Sequence, residues 1–168
     1  MQQPSKFTPI LISSVVMLFM SLFPFLNLIN LFCCAGIILG GAAGTFYYAK
    51  QLEKAGQLIQ NKDGIMIGLL SGIISAILYV IFSTLIIMIS KQNPVELVYK
   101  MTEEYGFNIP PETERMLRTV YDEYNKNGFS FIMIGVEMLS RIVSHCIFGP
   151  LGGILAAVIF LKRRNAAK

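Results

Sequence analysis

The chain has 168 residues, of which 54% are hydrophobic and only 14% carry a charged side chain. Because soluble domains carry about 25% charged residues, this composition argues against a soluble globular domain. The net charge of +4 is modest, and no basic face with interleaved aromatic residues accompanies it, which argues against nucleic-acid binding.

Three stretches contain no Asp, Glu, Lys or Arg: residues 7–49, 64–90 and 142–161. A helix of roughly 20 apolar residues spans the hydrocarbon layer of a bilayer. As one helix, residues 7–49 would be about 65 Å long, which is about twice that thickness, so this stretch must turn. One proline and two asparagines at residues 24–30 favour a turn there. The sequence therefore predicts one membrane helix at about 7–23 and a second at about 30–49.

The second charge-free stretch predicts a third membrane helix at about 64–90, and Asp63 precedes it at a position that suits a helix cap. A polar insert follows at residues 91–128. Asn93-Pro94 and Pro110-Pro111 each have the character of a helix start. The two amphipathic helices expected there have these apolar faces: Leu97, Val98, Met101 and Tyr105 in the first, and Met116, Leu117, Val120, Tyr121 and Tyr124 in the second.

The last apolar stretch predicts a fourth crossing at about 142–161, preceded by a helical extension at 129–141. Gly149-Pro150 is a potential kink within it. The expected fold class is all-α: an integral membrane four-helix bundle with a small extramembrane helical insert between helices 3 and 4. We expect residues 1–168 to form a single membrane domain.

The basic residues predict the orientation of this bundle. Four crossings place the N-terminus, the loop at 50–63 and the C-terminal tail on one side of the membrane. That side carries the larger set of basic residues: Lys6, Lys50, Lys54, Lys62, Lys162, Arg163, Arg164 and Lys168. Since basic residues favour the cytoplasmic side, we expect a multi-pass protein of the cell (inner or cytoplasmic) membrane. Both termini would be cytoplasmic, and the insert at 91–128 would be extracytoplasmic.

Small residues recur at every fourth position of the apolar stretches. The glycines that form these ladders are Gly36, Gly40, Gly44, Gly64, Gly68, Gly72, Gly149 and Gly153. Residues four apart share one face of a helix, and a face without side chains lets two helix backbones approach closely. The ladders therefore predict helix packing, either within one chain or with a second copy or another membrane protein. The alternative is a glycine-lined pore or a sliding contact.

A polar stripe precedes the last glycine ladder. Glu137, Arg141, Ser144 and His145 share one helical face by their spacing. Ionisable groups at membrane depth often mark ion or proton paths, and His145 can change its charge near neutral pH. Glu137, Arg141 and His145 are therefore a candidate polar site. The alternative is a Glu137–Arg141 pair at the interface, with His145 hydrogen bonded locally.

The three cysteines lie in apolar segments and favour a packing role over a disulfide or metal site. Cys33 and Cys34 are adjacent and so point to different sides of a helix, Cys146 lies far along the chain, and no CxxC motif is present. The catalytic motifs GxSxG and HExxH, the P-loop and GxGxxG are also missing. We expect no enzymatic activity, no catalytic residue, no metal and no cofactor.

The order of features resembles a group of small, glycine-rich, four-helix prokaryotic membrane proteins of unknown function. The residues that carry the resemblance are the turn at 24–30 leading into Cys33-Cys34, Gly40-Gly41-Ala42 before Tyr47-Tyr48, Asp63-Gly64, and Gly149 to Gly153 before a basic tail. The resemblance covers nearly the whole chain except the insert. It implies a four-helix membrane fold and no particular activity.

These observations favour a non-enzymatic structural or interaction component whose partners are the lipid bilayer and other membrane proteins or copies of itself, and not nucleic acid. The second interpretation is a small channel or transporter component that uses Glu137, Arg141 and His145 in an ion or proton path. A holin-like pore former is a third, which the basic tail fits and the structured insert does not.

Overall fold

The structure is a computed structural model, and it describes residues 4–23, 34–90, 93–106 and 108–166. These residues form six helices and no strand. In chain order the helices are α1 (Phe7–Leu22), α2 (Ala35–Lys54), α3 (Asn61–Ser90), α4 (Pro94–Tyr105), α5 (Pro111–Asn127) and α6 (Phe131–Ala166). The expected all-α class is confirmed. The predicted turn at 24–30 and Cys33 lie outside the described residues.

Two of the six helices are long and apolar enough to cross a membrane. They are α3, with 30 residues, and the segment Phe131–Arg163 of α6, with 33 residues. Helix α1 is apolar but has 16 residues. Helix α2 ends in a charged turn that contains Lys50, Glu53 and Lys54. Two of the four predicted spans therefore meet the length and composition of a membrane span.

The ends of three helices differ from those of the predicted apolar stretches. Helix α2 continues to Lys54 because Leu52 is buried in the core. Helix α3 begins at Asn61 and includes Asp63, whose Oδ2 accepts a hydrogen bond from the Gln60 backbone N–H at 3.0 Å. This is the reciprocal half of a capping box, so Asp63 stabilises the helix from inside its first turn. At the start of α6, Ser130 Oγ accepts a hydrogen bond from the Met133 N–H.

The described chain divides into two compact units. Unit 1 comprises Met1–Tyr79 and Ser140–Lys168, and unit 2 comprises Val80–Leu139. Helices α3 and α6 contribute residues to both units, whereas α1 and α2 belong to unit 1 and α4 and α5 to unit 2.

The buried residues of unit 1 include many small and polar ones. Several of the buried hydroxyls donate hydrogen bonds to backbone carbonyls, such as Ser13 Oγ to Gly40 O at 2.7 Å and Ser71 Oγ to Ile67 O at 2.6 Å. Its exposed residues include large apolar side chains from three helices: Phe7, Leu11, Val15, Phe19, Ile65, Leu69, Ile147, Leu151 and Leu155. Many large apolar side chains of this unit are therefore exposed, and small residues are frequent among its buried ones.

One end of unit 1 contains a hydrophobic cluster and an ion pair. The cluster includes Tyr48, Leu52 and Ile67. Beside it, Lys6 Nζ lies 2.8 Å from Asp63 Oδ1, and the side chain of Asp63 is only 5% exposed. Because a buried carboxylate without a partner is costly, this pair ties the start of α1 to the start of α3.

Unit 2 has a conventional apolar core built from Val95, Val120 and Tyr124. Asn93 caps α4 by accepting a hydrogen bond from the Val95 N–H at 3.0 Å, and its Nδ2 donates to Asn125 Oδ1 at 3.2 Å. Of the face predicted for α5, Leu117, Val120, Tyr121 and Tyr124 lie in or against this core, whereas Met116 is exposed.

The apolar face predicted for α4 does not pack into the core of unit 2. Leu97, Met101 and Tyr105 are exposed, whereas Val95 is buried and Tyr99 packs against the core. Helix α4 has apolar residues on more than one side, and spacing alone does not say which side packs.

Candidate functional site

The glycine ladders of α3 and α6 meet each other in unit 1. A Cβ atom added at Gly64 would contact the backbone of Gly153, and one added at Gly68 would contact the backbone of Gly149. A Cβ at Gly72 would lie 2.7 Å from the carbonyl oxygen of His145. Contacting positions rise by four in α3 while they fall by four in α6, so the two helices pack antiparallel with their backbones in close approach.

The glycines of α2 meet two different helices. A Cβ at Gly40 would overlap the side chain of Met17 and one at Gly44 would overlap the carbonyl of Pro9, both in α1. A Cβ at Gly41 would instead overlap the carbonyl of Gly149 in α6. Successive residues of a helix are about 100° apart, so a glycine pair gives α2 two smooth faces. Gly36 is also buried.

Sequence reasoning missed Gly41 and Gly152. A Cβ at Gly152 would overlap the carbonyl of Ile38, so Gly152 serves the α2–α6 contact as Gly41 does. Both lie outside the ladders because they belong to the neighbouring face. The signal was present in the sequence: each is the partner of a ladder glycine in the pairs at 40–41 and 152–153.

Arg141 and His145 lie in unit 1 and both take part in packing contacts. Arg141 donates a hydrogen bond from Nη2 to the Tyr79 hydroxyl at 2.7 Å, and its guanidinium carbon lies 3.8 Å from the centre of the Tyr79 ring. His145 is fully buried, and its Nδ1 lies 2.8 Å from the backbone carbonyl of Arg141. Its Nε2 is buried and has no hydrogen-bond partner among the described residues.

Glu137 belongs to unit 2. Its Oε2 accepts a hydrogen bond from Ser83 Oγ at 3.1 Å. The predicted polar site is thus divided between the two units, with Glu137 in one and Arg141 and His145 in the other. Each of the three side chains has its own local partner.

In unit 1, Arg141 and His145 make contacts that join α6 to α3. The guanidinium of Arg141 is held against an aromatic ring, which stabilises a cation and positions it. His145 lies at a ladder position opposite Gly72, where the glycine makes room for the approach of the α6 backbone. What the arrangement does is hold α3 and α6 together.

Within the described ranges, no three His, Cys, Asp or Glu side chains are grouped so that they could hold a metal ion. Comparison with protein families, curated proteins and solved structures gives no match for this chain.

Proposed function

We propose that this chain is a non-enzymatic, multi-pass integral membrane protein that acts as a structural or interaction component. The observation that supports it is the distribution of residues in unit 1, where glycines make the closest helix contacts and many large apolar side chains are exposed. In the 18-residue apolar segment of each long helix, only 22% of α3 and 33% of α6 is buried. A core helix of a soluble protein buries most of its apolar side chains, whereas a helix in lipid can leave them on its surface.

In this proposal the other two crossings are α1 and α2, at about 7–23 and 30–49. Helix α1 exposes Leu11, Val15 and Phe19, four residues apart, and buries Ser13 and Ser14 on another face. This face arrangement suits a helix between lipid and a glycine-lined neighbour. The result would be the four-helix architecture of the small prokaryotic membrane proteins that the sequence resembles.

The partners in this proposal are the bilayer and other membrane proteins. Gly40, Gly64 and Gly68 face atoms of the same chain, so their surfaces are already covered. An interface with a second copy would therefore use the exposed apolar faces, with the glycines holding each bundle together.

The experiment that tests the proposal is cysteine accessibility in intact cells and inverted vesicles. Single cysteines replace Gln60, Thr113 and Ala167 in a variant without the native three. We expect Gln60→Cys and Ala167→Cys to react only from the cytoplasmic face of the cell membrane, and Thr113→Cys only from outside. Reaction of Thr113→Cys and Ala167→Cys from the same side would contradict the fourth crossing and the proposed orientation.

A second candidate function is a small channel or transporter component that uses Glu137, Arg141 and His145 in an ion or proton path. The observation that favours it is the buried Nε2 of His145, which has no hydrogen-bond partner among the described residues. Polar atoms in such a position are costly unless a ligand or water satisfies them. Proteoliposomes containing the protein should then show an ion or proton flux that Glu137→Gln abolishes. An unchanged flux in Glu137→Gln would contradict this path.

A further inference from the structure

Unit 2 contains a cavity that none of the packing contacts above explains. Its volume is about 210 Å³. The lining residues come from four helices and a connecting segment: Thr84, Ile87, Pro94, Tyr124, Phe129, Met133, Ile134 and Glu137. Five of these side chains are wholly apolar, so the carboxylate of Glu137 is the one formal charge in a largely hydrophobic lining.

The charge of Glu137 is not balanced within the described residues. Its hydrogen-bond donor is the neutral hydroxyl of Ser83. The ion pairs of the described residues are Lys6–Asp63 and Glu114–Arg118, and Glu137 takes part in neither. Arg141, four residues further along α6, donates to Tyr79. A partly buried carboxylate beside apolar walls is stabilised most strongly by a cation that enters the cavity.

Two aromatic rings in the lining add to the attraction for a cation. Tyr124 and Phe129 both line the cavity, and the face of an aromatic ring attracts a cation. Burial and the negative charge of Glu137 raise the pKa of Tyr124 above its ordinary value. The phenol therefore remains neutral at physiological pH and does not add a second negative charge.

The size and chemistry of the cavity select the class of cation. A divalent metal ion such as Ca²⁺ takes about six to eight oxygen ligands, and one carboxylate with two hydroxyl groups supplies too few. An apolar cavity of about 150 Å³ holds a benzene molecule. The present cavity, at about 210 Å³, has room for such a ring together with a short charged substituent.

We propose that this cavity binds a small organic ammonium ion with an apolar body. The ammonium group pairs with the Glu137 carboxylate, and the body lies against Phe129, Ile87 and Met133. The site is formed by unit 2 alone, so it does not depend on the number of membrane crossings proposed for the chain.

The experiment is a binding titration of the purified full-length protein in detergent micelles, with benzylammonium as the probe and benzyl alcohol as its neutral counterpart. We expect saturable binding of one benzylammonium per chain and at least tenfold weaker binding of benzyl alcohol. The reason is that a charge-assisted hydrogen bond is about twice as strong as a neutral one. Equal binding of the two probes, or binding that does not saturate, would overturn the proposal.

Two variants locate the site. Glu137→Gln keeps the size of the side chain and removes the charge, so we expect it to weaken benzylammonium binding at least tenfold and to leave benzyl alcohol binding unchanged. Glu104→Gln is the matched control, because Glu104 is exposed on α4 and does not line the cavity. An equal effect of the two variants would show non-specific attraction and contradict the site. If Glu137→Gln does not fold, the comparison of the two probes on the unmodified protein decides the matter.

Discussion

The helices of the two units approach each other in different ways. In unit 1 the closest helix contacts are made by glycines, and the buried polar residues are serines, a threonine, Asp63 and His145, while large apolar side chains such as Leu11 and Val15 are exposed. In unit 2 valine and tyrosine form the core, and α5 exposes charged residues such as Arg115 and Arg118. A chain in water gains free energy by burying large apolar side chains, whereas a chain in lipid gains it by close packing of helix backbones. The close backbone contacts at glycine are found in unit 1, whereas the described glycines of unit 2 (Gly106, Gly128 and Gly135) have nothing within 4 Å of an added Cβ atom.

The largest effect is expected from filling a glycine contact of unit 1. In Gly68→Leu the new side chain would overlap the Gly149 backbone, which cannot rotate away as a side chain could. We expect a loss of about 3 kcal/mol or more in the free energy of unfolding, measured by SDS-induced unfolding in mixed micelles.

The control for this substitution is Gly135, which lies within α6 with nothing within 4 Å of an added Cβ atom. Gly135→Ala should be neutral or stabilise the protein by up to about 1 kcal/mol, because alanine favours helix more than glycine does. Gly68→Ala already places a Cβ atom against the Gly149 backbone and should destabilise the protein. Equal effects of Gly68→Ala and Gly135→Ala would contradict the role of the ladders in holding unit 1 together.

The next effect concerns the ion pair at the end of unit 1. Lys6→Ala leaves the Asp63 carboxylate buried with only the Gln60 amide as a partner. We expect a loss of about 2 kcal/mol in the free energy of unfolding, below the roughly 3–5 kcal/mol of a fully buried pair because Lys6 is partly exposed.

Lys62→Ala removes an exposed lysine next to the same carboxylate and should change stability by less than about 0.5 kcal/mol. The double variant Lys6→Met/Asp63→Leu should recover most of the loss, since an apolar pair can replace a buried ion pair. A double variant no more stable than Lys6→Ala would argue against the pair.

In unit 2 the next effect concerns the cap of α4. Asn93→Ala removes the cap of α4 together with the hydrogen bond to Asn125. We expect it to cost about 1 kcal/mol, measured by hydrogen exchange of the α4 amides. Asn108→Ala, at an exposed position between α4 and α5, is the control and should leave that exchange unchanged. Equal exchange rates in the two variants would contradict the cap.

The smallest effect is a pH dependence confined to unit 2. Burial is the larger cause, and the charge of Glu137 the smaller, of the raised pKa of Tyr124 in the folded protein. The stability that this shift represents is fully present below the ordinary tyrosine pKa of 10.0 and is lost as the pH rises through the higher folded pKa. Tyr124→Phe should therefore lose less stability than the unmodified protein above pH 10, measured by unfolding at each pH. Tyr105→Phe, which removes an exposed ring hydroxyl, should behave like the unmodified protein.

The sequence predicted which faces pack better than it predicted what they pack against. The spacing of Gly64, Gly68 and Gly72 identified a smooth face on α3, because helical periodicity is a local property. That this face meets Gly149 and Gly153 is a matter of tertiary register, which no local pattern contains. Gly41 was missed for a related reason, since the ladder followed one face and the contact with α6 uses the next.

Long-range polar contacts were equally hard to predict from the sequence. Lys6 and Asp63 pair across 57 positions. In the sequence alone, Lys6 is one of several basic residues and Asp63 is a potential helix cap. The polar stripe was correctly placed on one helix, but the partners of Glu137 and Arg141 are Ser83 and Tyr79 on α3. Hydroxyl groups of α3 gave no signal, because serine and tyrosine are common in apolar helices.

In the proposed function the exposed apolar faces of unit 1 lie in lipid. The direct measurement is the collisional accessibility of spin labels in reconstituted membranes, with labels on cysteines that replace Val15, Leu69 and Leu155, one on each of three helices. We expect lipid-soluble oxygen to reach all three labels and an aqueous nickel complex not to reach them, whereas a label at Arg115 in unit 2 should be accessible to nickel. Strong nickel accessibility at all three unit 1 positions would contradict it.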